Sequence, residues 1–158
     1  MQKFIITLPD GTQLTSGTTQ APALKTVTLT RSVNTEQELT LGCVCAAMLE
    51  AEIIAPMGDW GIQAGQELTL YTCDDSGNMV KEGIFIAEMP ERVRAPSCRL
   101  TAYDRVVKLD KDLTGWVESL NGWPYDLRQF TGMVCDQCGV TLQESEVPNG
   151  SYQIRKFS

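Results

Sequence analysis

The segment from Ile84 to Leu109 constrains the fold most, because its apolar pattern changes from that of a strand to that of a helix. Apolar residues recur in steps of two at 84–87 and again at 98–102, and this period indicates two strands. From Tyr103-Asp104 onward the apolar spacing becomes helical. We therefore predict a β unit over residues 1–103 and a helix-rich unit over residues 104–158.

The loop between the two strands of this segment is flanked by Pro90 and Pro96 and carries several charges. Because proline cannot donate to a sheet ladder, we predict an exposed crossing without regular structure. Asp104 follows at the end of the second strand. It has two interpretations, an acid/base group or a charge at a helix amino terminus. The second is favoured because no partner carboxylate is predicted opposite it.

Earlier residues show alternating runs separated by turn residues such as Pro9-Asp10-Gly11. The runs predict strands at 3–8, 12–14, 24–33, 48–55, 67–73 and 79–89, with Gly83 marking a bulge. Residues 43–50 also fit a helix, and that alternative stays open. Six or seven strands at short spacing are typical of a small antiparallel β-barrel or sandwich. The fold class is thus mainly β with α.

After Leu109 the pattern becomes helical. Trp116, Val117 and Leu120 predict a short helix, and a second helix is predicted to open at Pro124 and to end before Gly139. Strands are predicted at 140–143 and 151–157, separated by a Pro-Asn-Gly turn at 148–150. The chain then stops without a closing element, which predicts that the second unit is an incomplete domain.

Composition excludes several classes of protein. The chain has 158 residues, of which 42% are hydrophobic, which is typical of a globular protein. Its longest apolar runs are shorter than the roughly 20 residues that span a bilayer, so we predict no membrane insertion. The amino terminus lacks the pattern of a signal peptide, which predicts folding in a cytoplasm with six mostly reduced cysteines.

Catalytic and nucleic-acid-binding functions are also disfavoured. The chain contains no histidine, which excludes Ser-His-Asp and Cys-His nucleophile systems and histidine-ligated metal sites. Its net charge of -7 argues against a surface that binds phosphates. We therefore predict no catalytic activity and no cofactor.

Cys135 and Cys138 form a Cys-x-x-Cys pair, which is the sharpest chemical motif in the chain. Such a pair can act as a redox couple or as half of a zinc site. However, a zinc site needs about four ligands, and this pair is predicted near the end of its helix, away from the positive amino-terminal dipole. A structural role is favoured. Cys43 and Cys45 are likewise interpreted as small buried side chains.

Tryptophans are the candidate interface residues. Trp60, Trp116 and Trp123 lie in predicted loops or short helices, where a large aromatic ring either covers a core or contacts a partner. Core packing is the more common role, and interface burial is the alternative. The acidic pair Asp74-Asp75 is interpreted as part of a solvated turn.

Several of these segments, taken in order, resemble a known family. ELTLGCVCAAMLEAEI, QAGQELTLYT, TAYDRVVKL, a Trp-Pro pair and the Cys-x-x-Cys-Gly-Val helix follow one another over residues 24–145. This order is similar to that in the amino-terminal part of the bacteriophage and prophage tail hub, or baseplate hub, proteins. Each motif is weak alone, and Ala-Tyr-Asp at 102–104 is the most specific of them.

The resemblance implies an assembly function. It implies a β-barrel related to tail-tube subunits, and a homotrimer in full-length members that joins the tail tube to other tail-tip proteins. The location would be the virion tail, assembled in the bacterial cytoplasm, with DNA passing the ring lumen without specific binding. Two alternatives stay open: the hub of a phage-derived secretion or injection machine, and a small cysteine-based zinc or thiol-redox module.

Overall fold

The computed structural model describes residues 3–18, 22–31, 46–54, 61–142 and 147–156. The chain divides into two compact units, Met1–Val107 and Lys108–Ser158. Within the described residues, no helix combines the length and the apolar character that crossing a bilayer requires.

Strands build the first unit, and a short 3₁₀ helix follows them. The strands are β1 Lys3–Thr7, β2 Gln13–Ser16, β3 Ala23–Thr30, β4 Met48–Ile54, β5 Glu67–Cys73, β6 Met79–Ala87, β7 Glu91–Arg94 and β8 Ser97–Asp104. The 3₁₀ helix covers Arg105–Leu109. Most of these bounds agree with the strands predicted from alternation. In β4 and β5 each buried position is followed by a more exposed one, as the alternation predicts.

The strands close into a seven-stranded barrel. Neighbours follow the order β4-β3-β2-β1-β5-β6-β8, and the pairing of β4 with β8 closes the ring. The prediction of an entirely antiparallel barrel is wrong at one place, since β2 and β3 run parallel, with Thr15 opposite Ala23. Turn residues mark where the chain changes direction, but they do not specify which strand a later segment joins.

Alternation fills the barrel interior with apolar side chains. Phe85 on β6 and Leu100 on β8 are buried, as are residues from every other strand of the ring. The largest fully buried side chains are Phe85, Ile6, Leu14, Leu49, Ile53, Leu68, Leu70, Leu100 and Cys98. Removal of this surface from water is the main stabilising contribution to the unit.

The segment between Pro90 and Pro96 differs from the prediction. It contains β7, a strand of four exposed residues that pairs antiparallel with β8, with a register shift between Arg92 and Arg94. The predicted exposure is confirmed, but the predicted absence of regular structure is wrong. The two prolines stand outside β7, so its own N–H groups remain free to pair.

The helical alternative for residues 43–50 is wrong where the structure describes it. Met48, Leu49 and Glu50 belong to β4, which pairs with both β3 and β8. Pairing along both edges of β4 overrides the helix preference of alanine and methionine. Cys43 and Cys45 fall outside the described residues.

The second unit contains α1 Thr114–Ser119, β9 Tyr125–Asp126, α2 Leu127–Cys138 and β10 Gln153–Ile154, and β9 pairs antiparallel with β10. The prediction that α2 opens at Pro124 is wrong. Asp126 is the N-cap instead, and its carboxylate accepts the N–H of Gln129 at 2.6 Å. The predicted end is confirmed, because Gly139 adopts a left-handed conformation with φ of 68°.

Two strand predictions in this unit fail in part. Residues 140–142 do not form a strand, and the N–H of Val140 bonds to the Cys135 carbonyl at 2.9 Å, so the chain continues the helix end. The strand predicted at 151–157 shortens to β10 within the described residues. The turn at 148–150 is confirmed, and Asn149 has a positive φ of 58°.

Candidate assembly surfaces

The turn between β5 and β6 forms one exposed end of the barrel. The Asp74 carboxylate accepts the N–H groups of Ser76 at 2.9 Å and of Asn78 at 2.8 Å, which fixes the turn. Hydrogen bonds from the side chain and backbone of Asn78 hold the pKa of Asp74 below its usual value, so this carboxylate stays ionised. A cleft of about 270 Å³ opens here, lined by Thr72, Asp74, Asp75, Asn78 and Val80.

Strand β7 forms a second exposed surface, which carries both acidic and basic side chains. Arg92 and Arg94 on β7 are exposed. Val93 and Met89 expose 53% and 70% of their surface. Val93 lines a cleft together with Glu50, Glu52 and Arg99. Charges beside exposed apolar side chains are typical of surfaces that bind a partner.

A salt bridge connects β6 with the residue that follows β3. The Arg31 guanidinium contacts the Glu82 carboxylate at 2.7 Å and the Glu82 carbonyl at 3.1 Å. The Thr72 hydroxyl donates to the same carboxylate at 2.8 Å. The bond from Thr72 and then that from Arg31 lower the pKa of Glu82. The Glu82 carboxylate therefore links β6 to β5 and to the residue that follows β3.

Asp104 connects the end of the barrel with the start of β4. Its carboxylate accepts the N–H of Ala47 at 3.0 Å and the N–H of Val106 at 3.0 Å, and its own N–H donates to the Ala47 carbonyl at 2.9 Å. The bond to Val106 is the helix amino-terminal role favoured from the sequence. The sequence does not predict the bonds to Ala47, because they depend on strand pairing across 57 residues.

Aromatic side chains form a cluster in the second unit. Phe130 packs against Trp116 with 6.4 Å between ring centroids and against Trp123 with 5.7 Å. Trp123 also meets Tyr125 edge to face at 5.0 Å. Trp116 and Trp123 are half-buried, so these contacts give them a packing role. Their role at an interface stays a prediction, and Trp60 falls outside the described residues.

A groove of about 570 Å³ lies beside this cluster. It is lined by Lys111, Asp112, Leu113, Thr114, Val117, Glu118, Trp123 and Lys156. The Lys156 ammonium donates to the Glu118 carbonyl at 3.0 Å, which ties one side of the groove to α1. The mixed charges of the lining select no particular ligand chemistry.

The structure places Cys135 and Cys138 in the last turn of α2, and both side chains are buried. Burial raises the pKa of the Cys135 thiol, with smaller contributions from Cys138 and Asp136. A raised pKa opposes the thiolate that redox chemistry and zinc binding both require. In the described part of the chain, no three cysteine, aspartate or glutamate side chains stand close enough to hold a metal ion.

We expect the buried thiols to react slowly. Burial raises the pKa of Cys98 from 9.0 to about 11, so its thiolate fraction at pH 8 falls about 100-fold. Cys73 is half-exposed and serves as the internal control. Alkylation followed by peptide mass spectrometry should label Cys73 at least 100-fold faster than Cys98, with comparable rates in denaturant. Fast labelling of Cys135 and Cys138, or stoichiometric zinc in the purified protein, would contradict their structural role.

Sequence reasoning missed the two charged hairpin ends as candidate surfaces. The sequence predicts a loop for the arginines of β7 and a solvated turn for the acids between β5 and β6. Their signal was the separation of charge along the chain: residues 73–80 carry two acids and no base, while residues 91–99 carry three arginines and one glutamate.

A scan against protein-family models finds no match to this chain, and a search of curated proteins finds none either. The resemblance to tail hub proteins therefore stays a prediction drawn from the order of its motifs.

Proposed function

We propose that this protein is a non-enzymatic structural component of a phage tail tip or baseplate hub. It forms a ring with copies of itself and joins the tail tube to the other proteins of the tip. One observation supports the proposal most. Ala102, Tyr103 and Asp104, the most specific segment of the resemblance, end the last strand of a closed barrel, and helical structure follows at once.

The closed barrel suits a building block of a ring. Closure pairs the strand edges of the seven-stranded ring, so the unit keeps its shape while its outer surface is available for neighbours. The exposed turn between β5 and β6 and the exposed strand β7 supply surfaces for such neighbours. A relation of this barrel to tail-tube subunits is part of the proposal.

The titratable groups near these surfaces have structural roles, which favours assembly over catalysis. Asp104 binds two backbone N–H groups, Glu82 braces two strands, and Asp74 fixes a turn. The net charge of -7 suits a ring that DNA passes without binding, because like charges repel.

Deletion of the gene that encodes this chain tests the proposal. We expect lysates of the deletion strain to contain heads without functional tails, and the infectious titre to fall by orders of magnitude. Expression of the wild-type chain from a plasmid should restore both. Normal particles and an unchanged titre after deletion would refute the proposal. Loss of a headless contractile or injection particle would instead assign the hub to a secretion machine.

A further inference from the structure

Two Asn-Gly pairs occur in the chain, Asn121-Gly122 and Asn149-Gly150, and both lie in the second unit. An asparagine followed by glycine can lose its side-chain amide without an enzyme. The backbone nitrogen of the glycine attacks the side-chain carbonyl carbon, which requires that this nitrogen gives up its proton and approaches closely. Glycine favours the attack because no Cβ atom shields its nitrogen. The two pairs share this chemistry, so their surroundings determine which of them reacts.

The structure holds the nitrogen of the second pair in a turn. The N–H of Gly150 donates to the Val147 carbonyl at 3.0 Å, and the Asn149 carbonyl accepts the N–H of Tyr152 at 2.8 Å. Packing is also close, since a Cβ atom at position 150 in place of Gly150 would lie 3.1 Å from the Val147 carbonyl oxygen. Attack by the Gly150 nitrogen therefore requires that its hydrogen bond breaks and that the turn opens.

The first pair lacks these restraints. Asn121 and Gly122 are exposed in the loop between α1 and β9. Within the described residues, the Gly122 N–H has no hydrogen-bond acceptor. The side-chain amide of Asn121 donates to the Ser119 carbonyl at 3.4 Å, which is longer than a typical N–H···O bond, so this side chain is held weakly.

Tyr125 favours reaction at the first pair. Its hydroxyl donates to the backbone carbonyl of Asn121. This carbonyl belongs to the same peptide group as the Gly122 nitrogen, which becomes negatively charged when it loses its proton. Because the peptide group shares that charge between nitrogen and oxygen, a donor at the oxygen stabilises it.

We propose that Asn121 is a site of spontaneous deamidation and that the turn protects Asn149. The Gly122 nitrogen forms a bond to the side-chain carbonyl carbon of Asn121, and the amide leaves as ammonia with the proton that the nitrogen gave up. The resulting five-membered succinimide takes up one water molecule. Opening at one of its carbonyls gives aspartate, and opening at the other gives isoaspartate, in which the backbone runs through the former side chain.

Isoaspartate at this position changes the surroundings of the aromatic cluster. The carbonyl that accepts the Tyr125 hydroxyl becomes a free carboxylate, and the backbone between α1 and β9 gains one carbon atom. Tyr125 meets Trp123 edge to face at 5.0 Å, and the Trp123 indole N–H donates to the Leu120 carbonyl at 3.2 Å. Both contacts lie in the altered loop, so the modification alters packing in the second unit. It does not depend on the proposed function.

Incubation of the purified chain at mildly alkaline pH, followed by peptide mass spectrometry, tests the proposal. Trypsin separates the two asparagines, since Arg128 lies between them, and electron-transfer fragmentation distinguishes isoaspartate from aspartate. We expect Asn121 to deamidate at least about fivefold faster than Asn149, which corresponds to the protection that one hydrogen bond gives. In denaturant the turn is lost, and the two rates should become similar. Tryptophan fluorescence should change as Asn121 reacts.

Asn121→Gln is the control variant, because glutamine keeps the amide but closes the larger, six-membered ring far more slowly. It should abolish modification at position 121, leave the rate at Asn149 unchanged and keep tryptophan fluorescence constant during the incubation. Equal rates at the two asparagines in the folded chain, or faster reaction at Asn149, would overturn the proposal. A rate ratio that persists in denaturant would overturn the protection by the turn, and constant fluorescence in the reacted wild-type chain would overturn the effect on packing.

Discussion

Replacement of Phe85 by alanine is expected to lower the free energy of unfolding of the barrel by about 3–5 kcal/mol. Phe85 is the largest of the fully buried side chains, with 2% of its surface exposed, and it lies on β6 in the middle of the core. Its loss removes apolar surface and leaves a cavity that a closed barrel cannot easily collapse. Denaturant unfolding followed by circular dichroism measures the change.

Phe85→Leu is the control, because leucine keeps most of the apolar volume. We expect it to destabilise by less than half as much as Phe85→Ala. The Phe85 ring is tightly packed, since a Cβ atom at position 83 in place of Gly83 would lie 3.0 Å from it. A loss below about 1 kcal/mol for Phe85→Ala would show that this ring does not fill the barrel.

Replacement of Asp104 by alanine is expected to destabilise the first unit by about 2–3 kcal/mol. The change removes the acceptor of the Ala47 and Val106 N–H groups, both of which are partly buried. Hydrogen bonds to a charged acceptor contribute more than neutral ones, so their loss is larger than for a typical surface residue. Chemical denaturation measures the stability, and hydrogen exchange by NMR locates the effect.

The hydrogen-exchange experiment shows whether Asp104 stabilises the structure locally or throughout the first unit. We expect faster exchange at the Ala47 and Val106 amides in Asp104→Ala, with little change at Leu70 in β5. Asp104→Asn keeps one acceptor oxygen and should lose about half as much stability. Unchanged exchange at Ala47 would mean that Asp104 does not hold the start of β4.

Much of the barrel was predictable because its signals are local. Alternation of buried and partly buried residues in β4 and β5 depends only on neighbours two positions apart, and the turn at 74–78 carries its own glycine and acids. The end of α2 was predictable for the same reason, since Gly139 accepts the left-handed conformation that stops a helix.

The failures concern features that depend on distant partners. β7 forms between two prolines because β8 offers a ladder to pair with, and α2 begins after Asp126 because Tyr125-Asp126 pairs with β10. The parallel pairing of β2 with β3 has no local signal either. All three features depend on the pairing register between strands that are distant in sequence, and a single sequence does not show that register.

The candidate surfaces were harder to predict than the fold. The sequence draws attention to cysteines and tryptophans, but the structure buries Cys135 and Cys138 and packs Trp116 and Trp123 around Phe130. The exposed turn between β5 and β6 and the exposed arginines of β7 can be recognised as candidate surfaces only from the strand pairing, because the order of charges in a sequence does not show which residues share a surface.

The most direct test of the hub proposal is the position of this chain in assembled particles. Particles purified from the native source, with an epitope tag on the chromosomal gene, would be examined by immunogold electron microscopy and quantitative mass spectrometry. We expect gold at the tail tip and a fixed small number of copies per particle. Absence of the chain from purified particles, or labelling along the head, would contradict the proposal.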